Sequence, residues 1–255
     1  MNLRNKVLSL ILLALLFYWY YGVLEKRIQN DESRKMQKKI LRVNNKEREL
    51  FISTSVNKLD GKNAPLVIFL HGMDGAWPNK KQTKAQYDFI NSLAWKKNFI
   101  AIFPKGSPNT CGDGSEKYYF YYCWDKKTAE DLKFINKLKE IMINQYKIDG
   151  SKSYLVGFSD GGYFIYDYIN KGNNNFLGYG INSASNSLSK KLANIKISLS
   201  VGKKDKNEFE ESIKTKNQIT SLGYNSNDFQ FIEHEGGHNI SKKALETQID
   251  FLLKN

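Results

Sequence analysis

Short apolar runs alternate with segments of helical periodicity over most of the chain. Residues 66–70 (LVIFL) and 99–103 (FIAIF) are apolar at every position, which is typical of strands buried on both faces of a sheet. Residues 84–97 and 128–146 instead repeat their apolar positions at the spacing of an amphipathic helix. Strands separated by helices predict an α/β fold, with a mostly parallel sheet covered by helices on both faces.

The same alternation continues to the end of the chain. The predicted strands are residues 51–56, 66–70, 99–103, 153–157, 177–183, 195–201 and 228–233. The predicted helices are residues 84–97, 128–146, 160–170, 207–222 and 240–254. No internal repeat and no Pro/Gly linker interrupts residues 45–255, so we predict a single domain over residues 50–255.

The N-terminal region differs from this domain in composition. Residues 7–24 form an uncharged apolar run of 18 residues, near the minimum for a membrane span, and its aromatic end suits the membrane–water interface. We predict that residues 1–24 are an uncleaved membrane anchor that exports the domain to the periplasm or cell exterior, with a cleaved signal peptide as the alternative. Basic residues also follow the run, so the positive-inside rule does not favour this orientation. Residues 25–49 are predicted to be a charged, partly helical spacer.

Charge and cysteine content limit the range of partners. About half of the formal net charge of +13 lies in residues 1–49, and no basic stripe interleaved with aromatic residues follows it. We therefore expect a solvated basic surface and no nucleic-acid partner. The two cysteines, Cys111 and Cys123, have no accompanying Cys or His that would complete a zinc site. In an exported chain the pair is compatible with a disulfide that closes the loop between them, and in a cytosolic chain the two would be free thiols.

The predicted strand at residues 153–157 runs directly into the motif GFSDG at residues 157–161. A Gly-x-Ser-x-Gly turn between a strand and a helix is so sharp that the serine hydroxyl stands clear of the backbone. The two glycines are required because a side chain at either position would collide with the neighbouring strand or helix. Ser159 is therefore the candidate nucleophile of a serine hydrolase.

A serine nucleophile needs a base, and the base needs an acid to orient it. In this topology the acid and then the histidine should follow the serine, in loops at the carboxyl ends of strands. His238 is the candidate base because two preceding glycines can present it to the sheet edge, and His234 at the strand end is the fallback. Asp205 is the candidate acid, and capping of the next helix is its alternative role. Glu208 and Asp228 are weaker candidates because they begin a helix and a strand.

The tetrahedral intermediate of such a reaction needs hydrogen-bond donors for its oxyanion. The N–H of Asp160 is one candidate, since it lies at a predicted helix N-terminus where the dipole also favours negative charge. The N–H of Met73, in the loop LHGMDG after an early strand, is the second. His71 in that loop is expected to hold its shape rather than to take part in the chemistry.

The pieces LHGMDG, YLVGFSDGG, VGKKD and EGGH, in this order and spacing, resemble the α/β-hydrolase superfamily. Within it they are most similar to the esterase group that includes feruloyl esterases and polyhydroxybutyrate depolymerases. The resemblance covers about residues 50–255 and implies an α/β-hydrolase fold with Ser159, Asp205 and His238 as the catalytic triad. Asp160 departs from the group, which commonly has a small residue at this position.

The loop at residues 105–125 is the predicted wall of the substrate pocket. The resemblance extends to Cys123-Trp124, a pair that recurs in the esterase group. Tyr121 and Trp124 are candidate pocket residues because an aromatic wall suits an acyl chain or an aromatic acid. Packing of these rings on the body of the domain is the alternative. Residues 183–194 are too few for the helical lid of a lipase, so no large lid is expected.

These residues predict a hydrolase of small-molecule or polymeric carboxylic esters that works through an acyl-enzyme and requires no metal or cofactor. A peptidase, thioesterase or acyltransferase would use the same triad, and the sequence does not separate these activities. A non-catalytic binding protein on a hydrolase scaffold is a further alternative. The chain keeps a candidate for every member of the triad, which favours an enzyme.

Overall fold

A computed structural model of the chain describes residues 15–18, 20, 36–53, 55, 64–74, 81–108, 111, 121–146 and 148–254. Residues 36–255 form one compact unit, so the domain begins before the predicted start at residue 50. Its strands are β1 (Gln37–Val43), β2 (Lys46–Ile52), β3 (Leu66–Leu70), β4 (Ile100–Pro104), β5 (Ser107–Pro108), β6 (Tyr122–Cys123), β7 (Ser153–Phe158), β8 (Gly178–Asn182), β9 (Lys196–Gly202) and β10 (Phe229–His234). Its helices, among the described residues, are α1 (Lys81–Lys97), α2 (Glu130–Tyr146), α3 (Asp160–Asn170), α4 (Phe209–Ser221) and α5 (Lys242–Leu253).

Eight of the described strands form one sheet in the order β1-β2-β4-β3-β7-β8-β9-β10. β1, β2 and β4 are antiparallel neighbours, and the pairs from β4 to β10 are parallel, which confirms the predicted α/β sheet. The chain moves from β3 outward to β4 and then returns to β7 on the other side of β3. This reversal leaves a crevice at the carboxyl ends of β3 and β7, where ligands bind in open α/β sheets.

Alternate residues of the parallel strands face opposite sides of the sheet. In β3, Leu66, Ile68 and Leu70 pack into one core layer, which also contains buried residues of α2, α3 and α4. Val67 and Phe69 pack into the other layer, together with residues of α1 and α5. Burial of each such large apolar side chain contributes about 1.5–3 kcal/mol. The two layers explain why β3 is apolar at every position.

Residues 37–52 form a β-hairpin at the edge of the sheet, so the prediction of a spacer over residues 25–49 is wrong for its second half. The turn consists of Asn44 and Asn45, which both have positive φ, 50° and 61°. Asn tolerates this conformation, and two-residue hairpin turns require it. The predicted opening strand thus begins at Lys46, before residue 51. The charged composition of the hairpin reflects its partly exposed position.

The predicted membrane segment at residues 7–24 falls mostly outside the described residues. Residues 15–18 and 20 are described, and they are helical. In the part of the chain that the structure describes, no helix combines the length and apolar character that a membrane crossing requires. The anchor and its orientation stay predictions.

A buried ion pair connects the hairpin to the helical layer. Arg48 of β2 pairs with Asp131 of α2, whose side chain is fully buried. The guanidinium also donates to Ser107 Oγ at 2.8 Å and lies 4.0 Å from the ring centroid of Phe134. Asp131 further accepts from Ser107 Oγ at 2.9 Å and from the N–H of Asp125 at 2.7 Å. This network joins β2, the loop after β4 and the start of α2.

Asp131→Ala is expected to lower the free energy of unfolding by about 3–5 kcal/mol, because Arg48 would remain buried without its partner. Glu130→Ala is the matched control, since Glu130 pairs with Lys46 on the surface and such pairs contribute about 0–1 kcal/mol. Urea unfolding followed by circular dichroism measures both variants. Equal, small losses would contradict a stabilising role for the buried pair.

Candidate active site

Ser159 occupies a sharp turn between β7 and α3. Its backbone has φ 52° and ψ −115°, and its N–H donates to the carbonyl oxygen of Asn182 in β8 at 2.8 Å. A positive φ is strained for a residue with a Cβ and persists only where the surrounding structure holds it. The turn therefore presents the hydroxyl at the carboxyl edge of the sheet, as the motif predicts.

Two glycines allow this turn to form. A Cβ on Gly157 would lie 2.4 Å from the carbonyl carbon of Gly161, and a Cβ on Gly161 would lie 2.5 Å from the carbonyl oxygen of Leu70. Both contacts are with backbone atoms, which cannot move aside as a flexible side chain can. The predicted requirement for glycine at both positions is confirmed.

Asp205 and His238 lie in the loops that follow β9 and β10, and these loops pack directly against each other. Gly202 ends β9, and a Cβ there would lie 2.4 Å from the carbonyl oxygen of Gly236. The N–H of Lys204 donates to the same Gly236 oxygen at 2.9 Å. The backbone contact between the two loops fixes the separation of Asp205 and His238.

Ser159, His238 and Asp205 form a continuous chain of hydrogen bonds. Ser159 Oγ lies 2.9 Å from His238 Nε2, and His238 Nδ1 lies 2.8 Å from Asp205 Oδ2. The Asp205 side chain is 2% exposed and that of His238 is 44% exposed. Because an ionised carboxylate only accepts hydrogen bonds, Nδ1 carries the imidazole proton and Nε2 is free to accept from the serine hydroxyl. An imidazole held in this way can take up the proton of the serine.

The weaker candidate acids have other partners. Glu208 accepts a hydrogen bond from the hydroxyl of Tyr163, and Asp228 pairs with Lys191 at 2.9 Å. The N-cap position of α4 makes no side-chain hydrogen bond to the helix. The carboxylate of Asp205 contacts His238 and does not cap this helix, and its role as the catalytic acid stays a prediction.

His234, the fallback base, shapes the loop that presents His238. Its Nδ1 accepts the N–H of Gly236 at 3.1 Å. Partial burial lowers the pKa of His234 below its ordinary value, so its ring is neutral at pH 7. It is His238 that reaches Ser159.

The loop after β3 passes beside Ser159. A Cβ on Gly72 would lie 3.2 Å from Ser159 Cβ and 3.0 Å from the ring of Phe158, so a side chain at position 72 would crowd the serine turn. Met73 is the next residue of this loop. Asp160 begins α3, and the first N–H of a helix has no acceptor within the helix. Met73 and Asp160 therefore directly follow the two residues, Gly72 and Ser159, at which the loop and the turn meet. The role of their N–H groups as oxyanion donors stays a prediction.

His71 holds the same loop in place, as predicted. Its Nδ1 donates to the carbonyl oxygen of Gly72 at 2.5 Å, and its Nε2 accepts the N–H of Gly106 at 2.9 Å. Its own carbonyl oxygen accepts the indole N–H of Trp124 at 2.8 Å. Complete burial lowers the pKa of His71, so the ring is neutral and carries its proton on Nδ1. Nδ1 thereby holds the loop after β3 in shape, and Nε2 joins this loop to the loop after β4.

Known proteins share this architecture. A stretch of 104 residues is 33% identical to the bifunctional acetylxylan esterase/xylanase XynS20E of Neocallimastix patriciarum, and it covers 41% of this chain and 13% of that protein. The crystal structure of a thermostable esterase, 15% identical, superposes with a TM-score of 0.64 over 86% of this chain and 62% of its own. A ferulic acid esterase, 14% identical, gives a TM-score of 0.57 over 86% of this chain and 96% of its own. No family model matches the chain.

The strand order, the turn after β7 and these superpositions agree with one another. The chain has the α/β-hydrolase fold. The fold that the motifs implied is thereby confirmed. In this α/β-hydrolase domain residues 183–195 connect β8 to β9 without a helix, so no large helical lid is present at this position, as predicted.

Residues 121–126, here called the brace segment, connect the loop after β3 with the serine turn. Tyr122 pairs with Asp74 through two backbone hydrogen bonds, of 2.9 and 3.2 Å. Cys123 is joined by a disulfide to Cys111, with Cα atoms 5.2 Å apart. The disulfide and the backbone pairing hold the brace segment against the loop that carries Met73.

Trp124 does not line a substrate pocket, and the prediction that it does is wrong. Its side chain is completely buried, with its ring centroid 5.2 Å from that of His71 and 5.6 Å from that of Phe164. A ring of this size gains most from complete burial, and its N–H finds an acceptor there. The alternative of packing on the body of the domain is therefore correct for Trp124. Tyr121 is half-buried, and its contact with substrate stays a prediction.

Three contacts of the site are not predicted from the sequence. The ring centroid of Phe158 lies 5.3 Å from that of His238, so Phe158 packs against the candidate base. A signal for it existed, because Phe158 ends β7 next to the serine. The Asp160 carboxylate accepts the N–H of Trp124 at 2.7 Å and lies 2.5 Å from Lys126 Nζ. No local pattern shows which carboxylate a loop lysine reaches.

Gly161→Ala is expected to lower the free energy of unfolding by about 3 kcal/mol, because the new Cβ would overlap backbone carbonyl groups at the end of β3. Gly150→Ala is the matched control, since a Cβ there meets only the flexible tip of Ile143, at 2.8 Å. Its effect should stay within about 1 kcal/mol. Urea unfolding compares the two variants, and equal stability would show that the turn tolerates a side chain at position 161.

Proposed function

We propose that the protein is a serine hydrolase that cleaves carboxylic esters through an acyl-enzyme. The observation that carries the proposal is the hydrogen-bond chain from Ser159 Oγ through His238 to the buried carboxylate of Asp205. Its support from known proteins is the similarity to an acetylxylan esterase and to esterases of the same fold. The substrate is accordingly proposed to be a small-molecule or polymeric carboxylic ester.

In the acylation step Ser159 Oγ attacks the ester carbonyl carbon while His238 Nε2 takes the hydroxyl proton. Asp205 orients the ring and stabilises the imidazolium that forms. The N–H groups of Met73 and Asp160 donate to the oxyanion of the tetrahedral intermediate. Collapse of the intermediate breaks the bond to the alcohol oxygen, which leaves with the proton from His238.

In the deacylation step water replaces the alcohol. His238 takes a proton from the water as its oxygen attacks the carbonyl carbon of the acyl-enzyme, and the same oxyanion donors act again. The bond to Ser159 Oγ then breaks, the serine regains a proton from His238, and the carboxylic acid is released. No atom outside the chain, the ester and water takes part in these steps.

Hydrolysis is proposed over acyl transfer because of the exposure of the base. The side chain of His238 is 44% exposed, so water has direct access to the group that would activate it. An acyltransferase must instead keep water from its acyl-enzyme. Peptidase and thioesterase activities would use the same steps, and the similarity to esterases is the ground for preferring an oxygen ester.

A fluorophosphonate probe should label the wild-type protein covalently and should not label Ser159→Ala, because the probe reacts with an activated serine. Intact-protein mass spectrometry measures the adduct. Hydrolysis of p-nitrophenyl esters should fall by about 10³-fold or more in the same variant. Equal labelling of both proteins would rule out Ser159 as the nucleophile.

The two histidines provide a matched control. His238→Ala should lose ester hydrolysis as severely as Ser159→Ala, since residues of a triad act as a unit. His234→Ala should retain much more of the activity than His238→Ala, because the His234 ring supports the backbone of the loop, whereas His238 is the ring that reaches Ser159. The reverse order would overturn the assignment of the base. Anilides and thioesters of the same acyl groups, assayed alongside, test the preference for oxygen esters.

A further inference from the structure

The residue that follows the nucleophile carries a negative charge close to where negative charge would develop. Asp160 supplies one of the proposed oxyanion donors through its N–H, and its carboxylate is only a few bonds away. A carboxylate beside an oxyanion opposes the transition state, and the opposition is strong where water is scarce. The Asp160 side chain is 12% exposed, so solvent screens its charge only weakly.

Lys126 of the brace segment compensates this charge. Its Nζ lies 2.5 Å from Asp160 Oδ1, and its side chain is 36% exposed. The other carboxylate oxygen, Oδ2, accepts the N–H of Trp124 at 2.7 Å. The carboxylate is thus bound on both oxygens, and both partners belong to the brace segment.

The brace segment also holds the other side of the site. Tyr122 pairs with the backbone of Asp74, and the Trp124 indole donates to the carbonyl oxygen of His71. These contacts are made to the loop that carries Met73. A single segment of chain therefore touches both elements that present the proposed oxyanion donors, and Asp160 is its connection to the serine turn.

We propose that the Asp160 carboxylate and Lys126 are positioning residues of the oxyanion site. The Asp160 carboxylate binds the brace segment to the serine turn through the N–H of Trp124, and the ammonium group of Lys126 neutralises the negative charge of this carboxylate beside the oxyanion. The inference rests on the proposed serine hydrolase function. It predicts that loss of Lys126 lowers kcat when residue 160 is an aspartate and has little effect on kcat when residue 160 is neutral.

Three variants test this dependence through kcat and KM for a p-nitrophenyl ester. Lys126→Met should lower kcat about tenfold with KM within about twofold. The uncompensated carboxylate would repel the negative charge of the oxyanion, and this charge develops in the transition state and not in the bound ester. The double variant Asp160→Asn/Lys126→Met should recover to within about threefold of the wild-type kcat, since a neutral amide needs no cation and still offers an acceptor to Trp124. Lys126→Arg, which keeps the charge, should retain kcat.

Lys127→Met is the matched control, because the neighbouring lysine is exposed and should leave kcat and KM at wild-type values. A wild-type kcat for Lys126→Met, or a double variant slower than Lys126→Met, would overturn the inference while Ser159-dependent hydrolysis persists. Absence of Ser159-dependent labelling in the wild type would overturn the proposed function and the inference with it. A change confined to the melting temperature would indicate a structural role alone and would also overturn the inference.

Discussion

The close packing of β7 against α3 is the constraint on which the rest of the site depends. With no side chains at Gly157 and Gly161, the strand and helix meet backbone to backbone, and the chain must reverse within a few residues. This reversal puts Ser159 at positive φ and turns its hydroxyl toward the crevice at the carboxyl edge of the sheet. The crevice exists because the chain changes direction across the sheet between β3 and β7. The position of Ser159 is therefore set both by the close contact between β7 and α3 and by the order of the strands in the sheet.

The remaining groups of the site come from distant parts of the chain, and backbone contacts between loops hold them there. Gly202 lets the loops after β9 and β10 touch, which brings Asp205 to His238. On the other side, the brace segment joins the loop after β3 to the serine turn through Trp124 and the Asp160 carboxylate. Rigid strands set the approximate positions, and these loop contacts set the final distances.

The sequence predicts the parts of this architecture that depend on short-range patterns. The buried runs of β3 and β7 define the sheet, and few histidines combined with an expected order of acid and base select Asp205 and His238 as the candidate pair, which the structure places within hydrogen-bond distance of each other. The edge hairpin is not predicted because β1 is charged and mostly exposed, although β2 buries Leu50 and Ile52 and Asn44 marks the turn. The burial of Trp124 does not follow from its motif, because a motif gives a residue's position along the chain but not the direction of its side chain. The partner of Asp160 follows only from the tertiary structure.

The proposed mechanism depends on acylation of Ser159 during turnover, and rapid-quench mass spectrometry can detect this acyl-enzyme. The wild-type protein is mixed with a p-nitrophenyl ester, quenched in acid and digested. The expected result is a mass increase equal to one acyl group, minus the displaced hydrogen, on the peptide that contains Ser159, formed in step with release of nitrophenol. Turnover with the acyl group on another residue, or hydrolysis by Ser159→Ala at the wild-type rate, would contradict it.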